Sequence, residues 1–263
     1  MRVQGRTFIV SGGSSGLGQA AVQNLALSGA YVAIFDLTEP VGDSLLDRVK
    51  FYKVNVTSEK DVHDAVQNTI SWSKETDSPL GGVVCCAGVL APGKIINSNF
   101  EPLLLSKIRS AIDVNLVGTL DIVRLVVSHL AQLPEPIDPK GESERGVVIM
   151  VSSAAAYDGQ PGQVSYSATK GAIRSLTLPL ARDLSRFGIR AVSIAPNMFA
   201  TGMTARGTMP EKARQAIERY FEWPKRAGKP EEFAGLVAEI FRNRMLNGCC
   251  LRLDGATRLP AKF

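Results

Sequence analysis

At 263 residues the chain is long enough for one domain with a sizeable core or for two small ones. Its 45% hydrophobic and 21% charged residues are ordinary for a globular enzyme, and no apolar run approaches the roughly 18 residues of a membrane span. The net charge of +5 comes from Lys and Arg scattered along the chain, with no basic block of the kind that binds nucleic acid. That charge serves solubility, or helps attract a phosphorylated or acyl-CoA substrate.

The first strand-like run, Thr7 to Val10, starts almost at once and leaves no room for a charged-then-apolar leader. A soluble cytoplasmic protein is expected, with a mitochondrial location left open. Further strands are expected at Tyr31 to Phe35, Phe51 to Val56, Val83 to Cys86, Val147 to Val151, Ile189 to Ala195 and Cys249 to Leu253. Between them lie helical patterns, including one from near Leu17, one over Glu59 to Trp72 capped by Thr57 or Ser58, and a long one over Leu103 to Leu133 with a break near Asp113 to Gly118. The Pro-rich stretch Pro134 to Gly146 reads as a surface loop, because the strand–helix rhythm resumes in phase after it. This alternation predicts one α/β domain, a doubly wound, parallel, seven-stranded sheet with helices on both faces. Four cysteines form two vicinal pairs, Cys85-Cys86 and Cys249-Cys250, without metal-ligand spacing, and are read as buried reduced thiols; no metal is expected. His63 and His129 fall on helices and read as surface residues.

The run SGGSSGLG follows the first strand and opens a helix, the context that a dinucleotide loop requires. Gly12, Gly16 and Gly18 allow a tight turn and close approach to a pyrophosphate, and the free N–H groups of Ser14, Ser15 and Leu17 stand at the helix start. Asp36 ends the second strand, where a carboxylate accepts from adenosine ribose hydroxyls; it could also be a plain strand-end turn residue. No Lys or Arg occurs between Asp36 and Arg48 to welcome a 2′-phosphate, so NAD is expected over NADP.

Val147 to Leu184 carries a second constellation. Ser152 and Ser153 end a strand, a Gly/Pro-punctuated loop follows, and Tyr166 and Lys170 lie four apart on one helix face. Alone, such a pair is most often an exposed helix contact. Beside a strand-end hydroxyl it suits proton transfer to or from a substrate oxygen, with the ammonium favouring phenolate. Ser152 is one residue out of register with Ser153 and faces the other side of the strand, so Ser153 is the expected participant.

These residues together resemble the short-chain dehydrogenase/reductase family, a Rossmann-type fold, over nearly the whole chain. The glycine loop has the family's G-x-x-x-G-x-G spacing, Ala87-Gly88 match the second half of its N-N-A-G motif, and Ser153, Tyr166 and Lys170 match its serine and Y-x-x-x-K. Asn115 in DVNLVG matches its helix asparagine. The runs GQPGQVSYSATKGAI and LNGCCLRLDGATR are similar to the branch that oxidises 3-hydroxyacyl-CoA thioesters and hydroxysteroids. The resemblance implies an NAD-dependent enzyme, a homotetramer or dimer, that moves hydride between a secondary alcohol and a nicotinamide. Tyr166 is then the general base or acid, Ser153 positions the substrate oxygen, Lys170 lowers the phenol's pKa and holds ribose hydroxyls, and Asn115 anchors a water leading from Lys170 to solvent. Asn55 and Val56 are placed at the adenine; Pro196, Met198, Phe199 and Thr201 at the nicotinamide half, Thr201 being equally readable as an ordinary loop hydroxyl.

Three departures stand out. Cys85-Cys86 replace two asparagines, so the central sheet must be held by other groups. Asn55 replaces an aspartate, with its amide oxygen expected to accept from the adenine amino group. Asn197 replaces a glycine, at a turn asparagine tolerates. Gln160, Gln163 and Met203 are expected to line the substrate pocket, and Tyr157 either lines it or packs. Residues 202–226, rich in Met and aromatics, read as a lid or as an ordinary packed helix; a lid this apolar implies a hydrophobic substrate. The expected activity is interconversion of such an alcohol and its ketone. The alternatives are an enzyme of secondary metabolism acting on a terpenoid, polyketide or alkaloid intermediate, or a non-catalytic NAD-binding scaffold or sensor.

Overall fold

The computed structural model describes residues 1–40, 46–134, 144–202, 215 and 218–258. Seven strands, β1 (Thr7–Ser11), β2 (Tyr31–Asp36), β3 (Val49–Lys53), β4 (Leu80–Cys85), β5 (Gly146–Val151), β6 (Ile189–Pro196) and β7 (Cys250–Leu253), form one all-parallel sheet in the order β3-β2-β1-β4-β5-β6-β7. The connecting helices are α1 (Gly16–Leu27), α2 (Glu59–Glu75), α3 (Leu105–Ile112), α4 (Gly118–Gln132), α5 (Val164–Leu184) and α6 (Pro230–Arg242). Parallel strands buried on both faces need apolar residues at every position, and β1, β4 and β6 are buried along their whole length.

Alternate side chains sort into two layers. Ile9, Val83 and Val148 face Val62 and Val66 of α2, Ile122 and Val126 of α4, and Ile173 of α5. Phe8, Val84, Ile149 and Val192 face Leu25 of α1 and Phe233, Ile240 and Phe241 of α6. Chain order runs outward from β1 in both directions, so the crevice between β1 and β4 at the strands' carboxyl ends is the topological switch point.

Local chemistry sets the element ends. Ser58 caps α2, its hydroxyl accepting from the Asp61 N–H at 3.2 Å. The break expected near Asp113 is a π turn, Asp113–Val117, joining α3 to α4. The third strand differs from its expected span, Phe51 to Val56. It begins at Val49, paired with Val32, and ends at Lys53 opposite Asp36, so Val54 to Val56 lie beyond the sheet at its ligand-binding edge. Cys85 alone of the four thiols is fully buried; Cys86, Cys249 and Cys250 are half-buried, and all four are free. His129 is half-buried at the end of α4 rather than on the surface, and burial together with nearby Lys74 lowers its pKa. Among the described residues no helix is long and apolar enough to cross a membrane.

Candidate active site

At the switch point opens a cleft of about 360 Å³, within the size range of small-molecule sites. Gly12, Ser15, Gly16, Leu17 and Gly18 form one wall. Gly12 has φ +66°, and a Cβ there would lie 2.7 Å from the Ala87 nitrogen; one on Gly18 would lie 2.1 Å from the Gly12 carbonyl oxygen. Only hydrogen fits at either place, so loop, helix start and β4 close into a cradle whose surface is backbone. The N-cap Ser15 makes no side-chain cap, so its hydroxyl does not compete with an anion for the first N–H groups of α1. Asp36 braces this wall: Oδ2 accepts from the Ser14 N–H at 3.1 Å and Oδ1 from the Leu37 N–H at 2.7 Å. Ser14 therefore supports the loop through its amide, and its buried hydroxyl has no partner among the described residues. A backbone cradle, an unpaired buried hydroxyl and an acid at the second strand's end fit a dinucleotide.

The opposite wall comes from β4 and β5. The loop after β4 is held where paired asparagines would otherwise act: Cys86 N–H donates to the Ser11 carbonyl at 3.0 Å, and Ala87 N–H to the Ser11 hydroxyl at 3.3 Å. Asn115, 1% exposed, completes the clamp. Its Oδ1 accepts from Val89 N–H at 2.8 Å, and its Nδ2 donates to the Val89 carbonyl at 2.9 Å and to the Thr169 hydroxyl at 3.1 Å. The extra residue of the π turn swings this side chain out of helical register toward β4. Its backbone carbonyl accepts from the Thr119 hydroxyl at 3.0 Å.

Ser153, Tyr166 and Lys170 meet at the end of β5. The Ser153 hydroxyl accepts from the Ala155 N–H at 3.1 Å, capping a short 3-10 turn (Ala154–Ala156), and is hydrogen-bonded to the Tyr166 phenol. Ser152 turns away, donating to the Lys170 carbonyl at 2.7 Å. The Lys170 ammonium donates to the Val151 carbonyl at 2.8 Å and stands 5.7 Å from the Tyr166 ring centre. A Cβ on Gly88 would lie 3.1 Å from Asn115 Oδ1 and 3.4 Å from Lys170 Nζ, so the loop, the clamp and the amine converge there.

The electrostatics differ from the expected cation-assisted phenolate. Burial raises the Tyr166 pKa, with the Ser153 hydrogen bond pulling it down by less. Burial also pushes Lys170 down to about 8, opposed by the charges that Cys86 and Cys85 could carry. Both thiols are themselves pushed up by burial, Cys86 to about 12, so they are neutral at ordinary pH. The chain by itself therefore holds a neutral phenol beside an amine poised to titrate.

Asn55, Val56, Pro196, Phe199 and Thr201 also line the cleft, and a Cβ on Gly16 would touch the Thr201 side chain at 3.3 Å. Met198 lies behind it, against Phe221 and Gly228. Gln160 and Gln163 sit in the loop before α5, beside Gly93, with buried Oε1 atoms that lack partners among the described residues; neither lines the cleft. Tyr157 packs between the guanidinium groups of Arg174 and Arg252, at 4.2 and 4.7 Å. Met203 and much of 202–226 lie outside the described residues. Sequence reasoning missed Leu37, Cys86, Val89 and Val114 as lining residues; each adjoins a motif residue, the one signal that could have found them.

Residues 6–212 match the family of short chain dehydrogenases. The chain belongs to that family. It is 40% identical to a 3-hydroxyacyl-CoA dehydrogenase type-2 of Drosophila melanogaster over 98% of this chain and 99% of that one. It is 33% identical to ipsdienol dehydrogenase of Ips pini over 98% of this chain and 99% of the other. The crystal structure of 3-hydroxyacyl-CoA dehydrogenase type-2 from Mycobacterium avium superposes with a TM-score of 0.87 at 35% identity, covering 98% of both chains. As a family member the chain is a dehydrogenase that uses a nicotinamide cofactor to act on an alcohol carbon.

Proposed function

We propose that the chain interconverts 3-hydroxyacyl-CoA and 3-ketoacyl-CoA thioesters with NAD(H), and accepts related hydrophobic secondary alcohols such as hydroxysteroids. The observation that carries this reading is the convergence of Ser153, Tyr166 and Lys170 on the open end of a glycine-walled cleft. The names of the relatives supply the substrate class.

Bound in the cleft, the cofactor supplies the hydride acceptor for oxidation and the donor for reduction. Ser153, hydrogen-bonded to the phenol, presents its hydroxyl to the substrate oxygen and fixes it beside Tyr166. Tyr166 takes the carbinol proton in oxidation and returns it in reduction. The raised phenol pKa suits donation; in the oxidative direction the Lys170 ammonium must offset it, and the same group would hold the ribose hydroxyls of a bound cofactor. Asn115 acts through the Val89 loop, and a water on its carbonyl would have to share that oxygen with Thr119.

NAD is preferred over NADP because a 2′-phosphate would face the Asp36 carboxylate with no cation between Asp36 and Arg48. Gln160 and Gln163, which stand in the loop before α5 rather than on the cleft wall, contact the acyl portion where it leaves the cleft. A second copy of the chain covers α5, where Val164, Gly171 and Leu178 are spaced seven apart in one stripe, with Val164 and Leu178 exposed. Four free thiols fit a reducing compartment, the cytoplasm or the mitochondrial matrix.

The test is NADH oxidation with acetoacetyl-CoA, a ketosteroid and a terpenoid ketone as rival substrates. The thioester should show the highest kcat/KM, and Tyr166→Phe should lose roughly 10²–10⁴-fold in turnover while still binding NADH. Preference for the terpenoid would move the enzyme to secondary metabolism. NADH binding with no turnover of any ketone would make it a scaffold.

A further inference from the structure

The Ser153 hydroxyl is aimed by a short, cross-tied segment that runs from Ser153 to Asp158. Its oxygen accepts from the Ala155 N–H at 3.1 Å, and the Ser153 carbonyl accepts from the Ala156 N–H at 3.0 Å. The Ala154 carbonyl then accepts from the N–H groups of both Tyr157 and Asp158, each at 2.9 Å. A hydroxyl has two lone pairs and one proton, so the bond from Ala155 leaves one lone pair and the proton for the Tyr166 phenol and a substrate oxygen. The segment is therefore one body, and a shift at Asp158 is carried to the Ser153 hydroxyl.

The far end of that body is gripped from β7, the strand at the edge of the sheet. Arg252 Nη2 pairs with Asp158 Oδ2. The same guanidinium lies 4.7 Å from the Tyr157 ring centre, with Arg174 of α5 at 4.2 Å from that ring. Arg252 is itself held, because its Nε donates to Asp254 Oδ2 at 2.5 Å, and Asp254 Oδ1 accepts from the Ala256 N–H at 3.2 Å. The side chains of Arg252, Asp158 and Asp254 are 21%, 25% and 8% exposed, so these charge-assisted bonds are far less solvated than a surface pair. None of these residues lines the cleft.

We propose that Arg252 is a positioning residue for the reaction: by clamping Asp158 and Tyr157 it fixes the angle at which the Ser153 hydroxyl meets the substrate oxygen. The proposal rests on the role given to Ser153 above. The planar fork of Arg252 spans two carboxylates, Asp158 on the loop after β5 and Asp254 just after β7, and so sets the distance between that loop and the last strand. Arg258 approaches the same two oxygens, at 3.8 and 2.9 Å, but it is 54% exposed and meets Asp158 only at long range. It cannot replace the fork. A misplacement of about 1 Å in a group that orients a substrate is enough to lose up to about 10²-fold in rate.

The experiment is a double-mutant cycle on the full chain, measured with NADH and the fastest ketone of the panel above. Ser153→Ala alone should lose about 10²-fold in kcat, because it removes a donor from the substrate oxygen. Arg252→Ala should lose about tenfold in kcat and leave the Kd for NADH unchanged. The double variant should be no slower than Ser153→Ala, since misaiming a hydroxyl has no effect once the hydroxyl is gone. Asp158→Asn, which keeps the side chain's shape and removes the charge that Arg252 grips, takes the place of Arg252→Ala if that variant does not fold. Losses that multiply in the double variant, as a merely structural role would give, or a wild-type kcat without the clamp, overturn the inference. Wild-type turnover in Ser153→Ala would instead overturn the role of Ser153 on which it rests.

Discussion

The glycine loop after β1 and the Ser153–Tyr166–Lys170 cluster after β5 face each other across one cleft and are built by opposite means. On the glycine side, what matters is the missing Cβ atoms that let Gly12, Gly18 and Ala87 touch backbone to backbone. On the other side, side chains are present, buried, and changed by burial: a phenol pushed up, an amine pushed down to about 8, an asparagine with every polar atom of its side chain engaged. One wall is shape that binds; the other is chemistry with a pH dependence. Damage to the two should therefore read out differently.

Tyr166→Phe is the largest expected effect on the chemical wall alone, costing turnover and sparing NADH affinity. Its counterpart on the binding wall is Gly18→Ala. The added methyl would meet the Gly12 carbonyl oxygen at 2.1 Å, a clash with backbone that no rotamer relieves, so loop and helix must separate. A loss of about 1–3 kcal/mol in unfolding free energy is expected from overpacking, with NADH affinity lower by at least about tenfold. Denaturant unfolding and NADH titration check both. Unchanged stability and affinity would show that the wall does not depend on that contact.

The amine sharpens the contrast through pH. Folded Lys170 loses its proton near pH 8, and the unfolded chain keeps it to about 10.5. Between those values the unfolded state binds more protons, so this residue's contribution to stability rises with pH; below pH 8 the full cost of burying the charge is borne. Relative to Lys170→Met, the wild type should gain about 2 kcal/mol between pH 7 and about pH 9.5. Comparing two variants cancels the opposing contribution of Tyr166, whose raised pKa costs stability above about pH 10. A flat difference across that window would mean that the amine is not desolvated.

How much was legible follows the same division. The glycine loop, Asp36 and the strand–helix alternation are local patterns, and the all-parallel sheet, the seven strands and even the interruption at Asp113 could be read from them. β3 starts two residues before its expected span and ends three residues short of it: its first residues, Val49 and Lys50, are not a solid apolar run, and Lys50 instead spreads over Tyr52 and Trp72, with its Nζ 5.7 and 5.6 Å from their ring centres. The direction of the Tyr166 shift was hidden because spacing reports that a cation is near but not how dry the site is. Asn55 shows the same limit: its carboxamide oxygen accepts from the Thr57 N–H at 3.1 Å and the Thr57 hydroxyl at 2.8 Å, contacts that its place in the chain does not announce. Met198 and Phe199 are neighbours, and nothing in their order says which one faces the cleft. Such facts belong to the folded neighbourhood rather than to any stretch of chain.

The smallest effect concerns a glycine that the single chain does not need. Gly171 follows Lys170 inside α5, and a Cβ there would meet nothing within 4 Å among the described residues. Glycine in a helix interior costs about 0.5–1 kcal/mol relative to alanine, so Gly171→Ala should stabilise the dilute, dissociated chain by that amount and leave NADH affinity untouched. Yet Gly171 sits between Val164 and Leu178, which are 52% and 45% exposed on the same stripe of α5. If a second copy packs there, the new methyl enters the contact, and the gain seen in dilute solution should become a loss at concentrations where the wild type self-associates. Unfolding measured across a concentration series separates the two. A gain independent of concentration would free that face of α5 from the oligomer and leave Gly171 with no role beyond flexibility.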